Sequence, residues 1–325
     1  MRHQYQFVLL FVVGEFLARY FCKEFAWPSF AGFDDLYKIF DALHIPLEEG
    51  FIVNLGAKWI DNWADKDESW LFYTDLVVKR GKPFKLIGWD PSTGKKLEET
   101  NTHIERSFTK EQQKLITFIN DYALPHSVNQ LLHENSVPAN FLLLKVDIDS
   151  IDLHVTHSIL KHRQPEMIFA EFSQWNALPL EFASIYDGPD HHPQYYQGYR
   201  GFNDVWPCGG TSLAAWDRFA TLSGYVVLTT DGRSNVIMIK AEAAKKWLKI
   251  TSSQVKQGMA AAAKESEKRL KVPGMYLTPK AMSQAVKLIE KRCMELDTPY
   301  VVAFNGTCLC PDQSTLCRCV LPVTE

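Results

Sequence analysis

The chain has 325 residues, which at roughly 100–200 residues per domain suits about two domains, or one large domain with an appendage. Hydrophobic residues make up 46% and charged residues 22%, enough apolar surface to offset the entropy of folding, so a disordered or fibrous chain is excluded. With 35 basic against 38 acidic residues, a formal charge of -3 and no clustered basic face, nucleic acid is not expected as a partner.

At the amino terminus Arg2 and His3 precede an apolar run from Phe7 to Gly14. The run has the form of a signal-peptide core, or of a first amphipathic or buried helix, and residues 1–22 are assigned to one or the other. It is shorter than the roughly 20 residues that span a bilayer, so membrane contact is expected only through this segment.

Phe51 to Ala57 is a short apolar run ending in small residues, the form of a buried parallel strand entering a turn. Phe84 to Pro91 is a second such run, and Ser92 to Asn101 has a helical composition. Lys110 to Tyr122 and His126 to Glu134 read as helices separated by Pro125. Phe141 to Asp147 is the most strand-like run; Ile151 to His162 carries apolar residues on one helical face, and Met167 to Phe172 is the next strand. Helix-like Ser212 to Ser223 precedes two short strands, Gly224 to Leu228 and Val236 to Lys240, around a turn at Asp231 to Ser234. The order predicts an α/β fold over residues 23–240: a doubly wound, mostly parallel sheet with an antiparallel closing hairpin. Residues 241–300 read as a helical extension and 301–325 as a cysteine-rich tail.

That tail holds Cys308, Cys310, Cys317 and Cys319. The C-x-C spacing at each end is tighter than zinc sites usually use, so disulfides are expected and zinc is the alternative. Asn305-Gly306-Thr307 is a glycosylation sequon, which agrees with a secretory or extracellular location; the cytoplasm is the other possibility.

Acidic residues end three of the strands: Asp90, then Asp147 and Asp149, then Glu171. In a parallel sheet these positions converge on one rim, where carboxylates hydrogen-bond sugar hydroxyls, hold a divalent ion or move a proton. His191 and His192, near Asp187 and Asp190, are read as a solvated loop, and His154 and His157 as helix surface. Tyr195, Tyr196, Tyr199, Phe202 and Trp206 would suit a lid.

From about Phe51 to Lys240 the chain resembles the FkbM-like S-adenosylmethionine-dependent methyltransferases. Leu144-Lys145-Val146-Asp147-Ile148-Asp149-Ser150-Ile151-Asp152 is similar to the family's KIDIDGxD segment, and Pro165 to Glu171 to its following P-x-x-x-x-x-E strand. Gly210-Thr211-Ser212-Leu213, Gly224-Tyr225 and Asn235-Val236 are similar to its closing block. The resemblance implies a Rossmann-like methyltransferase fold and S-adenosylmethionine as cofactor, bound by Asn54, Gly56, Ala57 and Asp90, with Asp90 on the ribose. It implies methylation of an oxygen on a small molecule or glycan. Asp147 or Glu171 would be the base; alternatively Asp147, Asp149 and Glu171 would hold a divalent metal. The first loop departs from the family's GAxxG: Gly56-Ala57 runs into Lys58-Trp59-Ile60, bulky residues where backbone must approach the cofactor. The alternative reading is therefore a catalytically degenerate member acting as a binding or structural module.

Overall fold

The computed structural model describes residues 34–57, 68–91, 94–148, 151–173, 181–184, 186, 210–230, 235–244, 300–304 and 307–308. The histidine pair, the aromatic segment, Asp149, most of the helical extension and three of the four tail cysteines lie outside them.

The chain builds α1 (Asp34–Ala42), β1 (Gly50–Leu55), α2 (Glu68–Thr74) continued by a π-helical turn (Asp75–Lys79), β2 (Phe84–Trp89), α3 (Lys95–Ser107), α4 (Lys110–Gln113) and β3 (Ile116–Ile119). There follow α5 (Val128–Glu134), β4 (Leu143–Val146), α6 (Asp152–Leu160), β5 (Met167–Glu171), β6 (Glu181–Ser184), α7 (Leu213–Leu222), β7 (Tyr225–Thr230), β8 (Asn235–Lys240) and α8 (Ala241–Ala243). Near the end of the chain come β9 (Tyr300–Phe304) and β10 (Thr307–Cys308).

Seven strands form one sheet in the order β3-β2-β1-β4-β5-β8-β7. The pairings among β3, β2, β1, β4 and β5 are parallel, and β8 is antiparallel to both its neighbours. This is the Rossmann-like methyltransferase fold, a doubly wound sheet closed by an antiparallel strand. The four central runs read as strands because they are apolar but for Asn54, Lys85, Lys145 and Glu171, as strands largely covered on both faces are. On one face Val53, Leu144, Ile168 and Met238 pack against α5, α6 and α7 through Leu132, Leu153, Val155, Trp216 and Phe219. On the other, Ile52, Leu86, Leu143, Phe169 and Ile237 pack against α1 and α2 through Leu36, Phe40, Trp70, Phe72 and Leu76.

Three sequence expectations need correction. Lys110 to Tyr122 is not one helix: a capping box at Thr109 and Gln112 starts a single turn, and Ile116–Ile119 then pairs with β2 as the sheet's edge. The helix placed at Ser92 to Asn101 runs from Lys95 to Ser107. A second, three-stranded sheet of order β10-β9-β6 was not anticipated; β6 and β9 pair antiparallel from Glu181 opposite Ala303 to Ser184 opposite Tyr300.

Candidate functional site

The strands after β1 leave in opposite directions, β2 and β3 to one side and β4 and β5 to the other. Such a switch in strand order opens a crevice at the carboxyl ends of the strands. The backbone there is tightly tied. Gly56 turns at φ +79°, and a Cβ built on it would lie 1.7 Å from the carbonyl oxygen of Asp147. The amides of Gly56 and Ala57 both donate to the Trp89 carbonyl, at 2.8 and 3.0 Å, and the Asp147 amide donates to the Leu55 carbonyl at 3.0 Å. Only glycine fits where the end of β1 crosses the end of β4. Ala57 is fully buried, and a Cβ on Gly88 would meet its methyl at 3.3 Å, so both residues must be small.

Register puts the polar side chains of the rim on one face. Asn54 stands opposite Gly88 and Lys145, and Lys145 opposite Phe169. Asn54 and Lys145 are buried. Lys145 Nζ reaches Asp147 Oδ2 at 3.0 Å, which fixes the Asp147 carboxylate on the Lys145 side of the sheet. Glu171 follows Phe169 by two residues and is therefore on that face as well, across from Asn235; its carbonyl accepts from Trp216 Nε1 at 2.8 Å. Asp90 leaves β2 largely buried, with its amide held by the Ile119 carbonyl at 3.1 Å. The structure thus brings Asn54, Asp147 and Glu171 to one side of the rim, with Asp90 one strand beyond β1. Asp149 lies outside the described residues. Among those residues no group of three or more His, Cys, Asp or Glu is placed to hold a metal ion, and the charge facing Asp147 is an ammonium.

Lys145 is the residue the sequence reading passed over as a participant. Its signal was visible: one lysine inside the apolar run Phe141 to Val146, a position where a charge persists only with a partner.

The motif residues around the crevice also frame it. Asp152 is buried and its Oδ1 accepts from the Ile148 amide at 2.9 Å, tying the start of α6 to the end of β4. Ser212 caps α7 through the Ala215 amide at 3.2 Å and accepts from the Phe182 amide at 2.8 Å. The Thr211 carbonyl receives the Ser173 amide at 2.7 Å, so the closing block is stitched to the end of β5 and to β6.

His154 corrects its reading as helix surface. Its Nε2 is buried and its pKa is pulled down to about 4, chiefly by burial and further by neighbouring His157, against a backbone hydrogen bond at Ser184. His157 is also lowered, by burial and by Lys161; its ring meets Phe219 edge-on at 6.2 Å between centroids.

No known family model matches the chain, and no curated protein matches it at a significant level. Among solved structures it is similar to the methyltransferase domain of a bacterial Hen1 protein, CtHen1-C, with 11% identity over 64% of this chain and 96% of that one at a TM-score of 0.35. A SAM-dependent methyltransferase from Geobacter sulfurreducens in complex with S-adenosyl-L-homocysteine aligns with 10% identity over 85% and 92% of the two chains at a TM-score of 0.32. Likenesses this distant say nothing about activity; strand order and register carry the fold.

Proposed function

We infer that the chain is an S-adenosylmethionine-dependent methyltransferase acting on an oxygen of a small molecule or glycan. The observation that supports this most is the crevice at the β1/β4 switch, where Gly56 turns against the Asp147 carbonyl and Asp90 follows β2 beside it, in the fold implied by the FkbM-like motifs. Backbone of Gly56 and Ala57 would line the cofactor, and Asp90 would accept hydrogen bonds from its ribose hydroxyls. Bound S-adenosylmethionine supplies an electrophilic methyl group. The protein's share is to align the acceptor oxygen and take its proton. Asp147 and Glu171 are the carboxylates on that side of the sheet, and Lys145 positions Asp147 through their 3.0 Å contact.

Calorimetry of the full chain with S-adenosylmethionine tests the reading. Asp90→Ala should weaken binding at least about tenfold, or 1.4 kcal/mol; unchanged affinity removes Asp90 from the site, and no binding by the natural sequence removes the cofactor. The second reading, a degenerate member, has Lys58-Trp59-Ile60 in its favour. It predicts neither saturable S-adenosylmethionine binding nor methyl transfer to hydroxylated acceptors.

A further inference from the structure

The opposite, amino-terminal edge of the sheet holds a cavity of about 450 Å³ that the methyltransferase reading does not use. This is within the roughly 300–1,000 Å³ of small-molecule sites. It lies between α5, the loop leading to β4 and the end of α6, and its polar lining is Asn129, Gln130, His133, His162 and Arg163. Arg163 is 7% exposed. Its Nη1 donates to Asn129 Oδ1 at 3.0 Å and its Nε, weakly, to the Val137 carbonyl at 3.4 Å. Among the described residues no carboxylate pairs with it. The nearest acid along α5, Glu134, is on another partner, accepting from Gln130 Nε2 at 2.9 Å. Burial alone draws the guanidinium below its ordinary pKa. A guanidinium has five N–H donors, and a buried charge without a counter-ion is costly unless something binds it.

We propose that this cavity is a second ligand site, for a phosphate group, free or carried on a small molecule, with Arg163 as the charged anchor and His133 and His162 as flanking donors. The geometry favours a tetrahedral anion over a carboxylate. A carboxylate is satisfied by two parallel N–H groups of one guanidinium; here Nε and one N–H of Nη1 are turned to protein oxygens, and the three remaining guanidinium N–H groups share the site with His133 and His162. What is left is a set of separate donors from three side chains, which suits several oxygens around one centre.

The test is calorimetric titration of the full chain with inorganic phosphate and, separately, glycerol phosphate, at ionic strength matched with chloride, with acetate as the carboxylate control. Saturable binding of at least one phosphate is expected. It should weaken about tenfold or more in the double variant His133→Gln/His162→Gln, whose melting temperature should match the natural sequence because neither ring supports the core, and it should vanish in Arg163→Gln. Tighter binding of the ester identifies a phosphorylated small molecule as the ligand; equal or tighter binding of the free ion identifies phosphate itself. Absence of saturable binding by both phosphates, equal affinity in the natural sequence and the double-histidine variant, or acetate binding as tightly as phosphate overturns the assignment.

Discussion

A methyl group on Gly56 would stand 1.7 Å from the carbonyl oxygen of Asp147, and the residue would have to keep φ at +79°. A non-glycine residue in that conformation costs about 1–2 kcal/mol by itself, and the clash is with backbone that cannot rotate away. Gly56→Ala should therefore lower the urea midpoint by the equivalent of at least about 2 kcal/mol with little change in slope; an unchanged midpoint would show that the end of β1 does not need the turn. His154 lends itself to a different measurement. Its pKa falls from 6.5 in the unfolded chain to about 4 in the folded one, so between those values the unfolded state holds a proton that the folded state does not. Stability must drop as pH is lowered through that window, by up to about 3 kcal/mol for this one group at 1.36 kcal/mol per pH unit. His154→Gln carries no titrating ring, so the stability difference between variant and natural sequence should shift in the variant's favour from pH 7 to pH 4; a difference that stays constant contradicts a buried neutral imidazole. That Asp147 and Glu171 reach one rim could be read from sequence because strand ends in a parallel sheet converge whatever the loops do. Lys145 was not recognised as the partner of Asp147, since the pairing depends on both side chains leaving β4 on the same face.

Elements were legible where burial on both faces removed any ambiguity of period. Ile52 to Leu55, Leu86 to Trp89, Leu143 to Val146 and Met167 to Ala170 are each buried, and runs of that kind four to six residues long fit strands better than helices. The edge strand β3 failed for the opposite reason. Leu115, Phe118, Ile119 and Tyr122 fall at helical spacing, while Ile116–Ile119 is only partly covered, so nothing in the local pattern marks it as sheet. Its pairing with β2 decides the matter, and that contact is not local. The π-helical turn after α2 is another element set by a single contact group. Arg80 closes it by donating from its amide to the Asp75 carbonyl at 3.0 Å. The Asp75 carboxylate meanwhile takes Tyr37 Oη at 2.7 Å, Arg80 Nε at 2.8 Å and Lys79 Nζ at 3.2 Å. Burial alone would raise its pKa, but these hydrogen bonds outweigh it and hold the group below 3.8. A depressed carboxylate contributes stability above its unfolded pKa and loses it as pH falls through the folded one. Asp75→Asn should thus cost about 1–3 kcal/mol at pH 7, and urea titrations at pH 3 should show the gap narrowing; a gap of equal size at both pH values would mean that charge plays no part in the turn.

At the scale of the whole molecule, the second sheet joins the end of the described chain to its middle. Strand β9 pairs with β6, and β6 is in turn bonded to the loop that caps α7, so the segment beginning at Tyr300 is anchored near the carboxyl rim of the main sheet. No local pattern could reveal a pairing between residues more than a hundred positions apart. Among the described residues no helix is long and apolar enough to cross a membrane. Strand β10 has two residues and pairs with β9, Thr307 opposite Phe304 and Cys308 opposite Ala303. Cys308 stands at that point, and Cys310, Cys317 and Cys319 follow it within one short segment. A covalent bridge there removes conformations from the unfolded tail, stabilising by about 2–4 kcal/mol per bond, and such bridges persist where the chain passes through an oxidising compartment. We therefore propose that at least two of these four cysteines are disulfide-bonded in the mature protein. Alkylation without reductant followed by mass spectrometry should leave at least two of them unmodified until a reductant is added. Four freely alkylated thiols would refute both the bridges and the secretory location that rests on them, while thiols protected by bound zinc would replace the bridges with a metal.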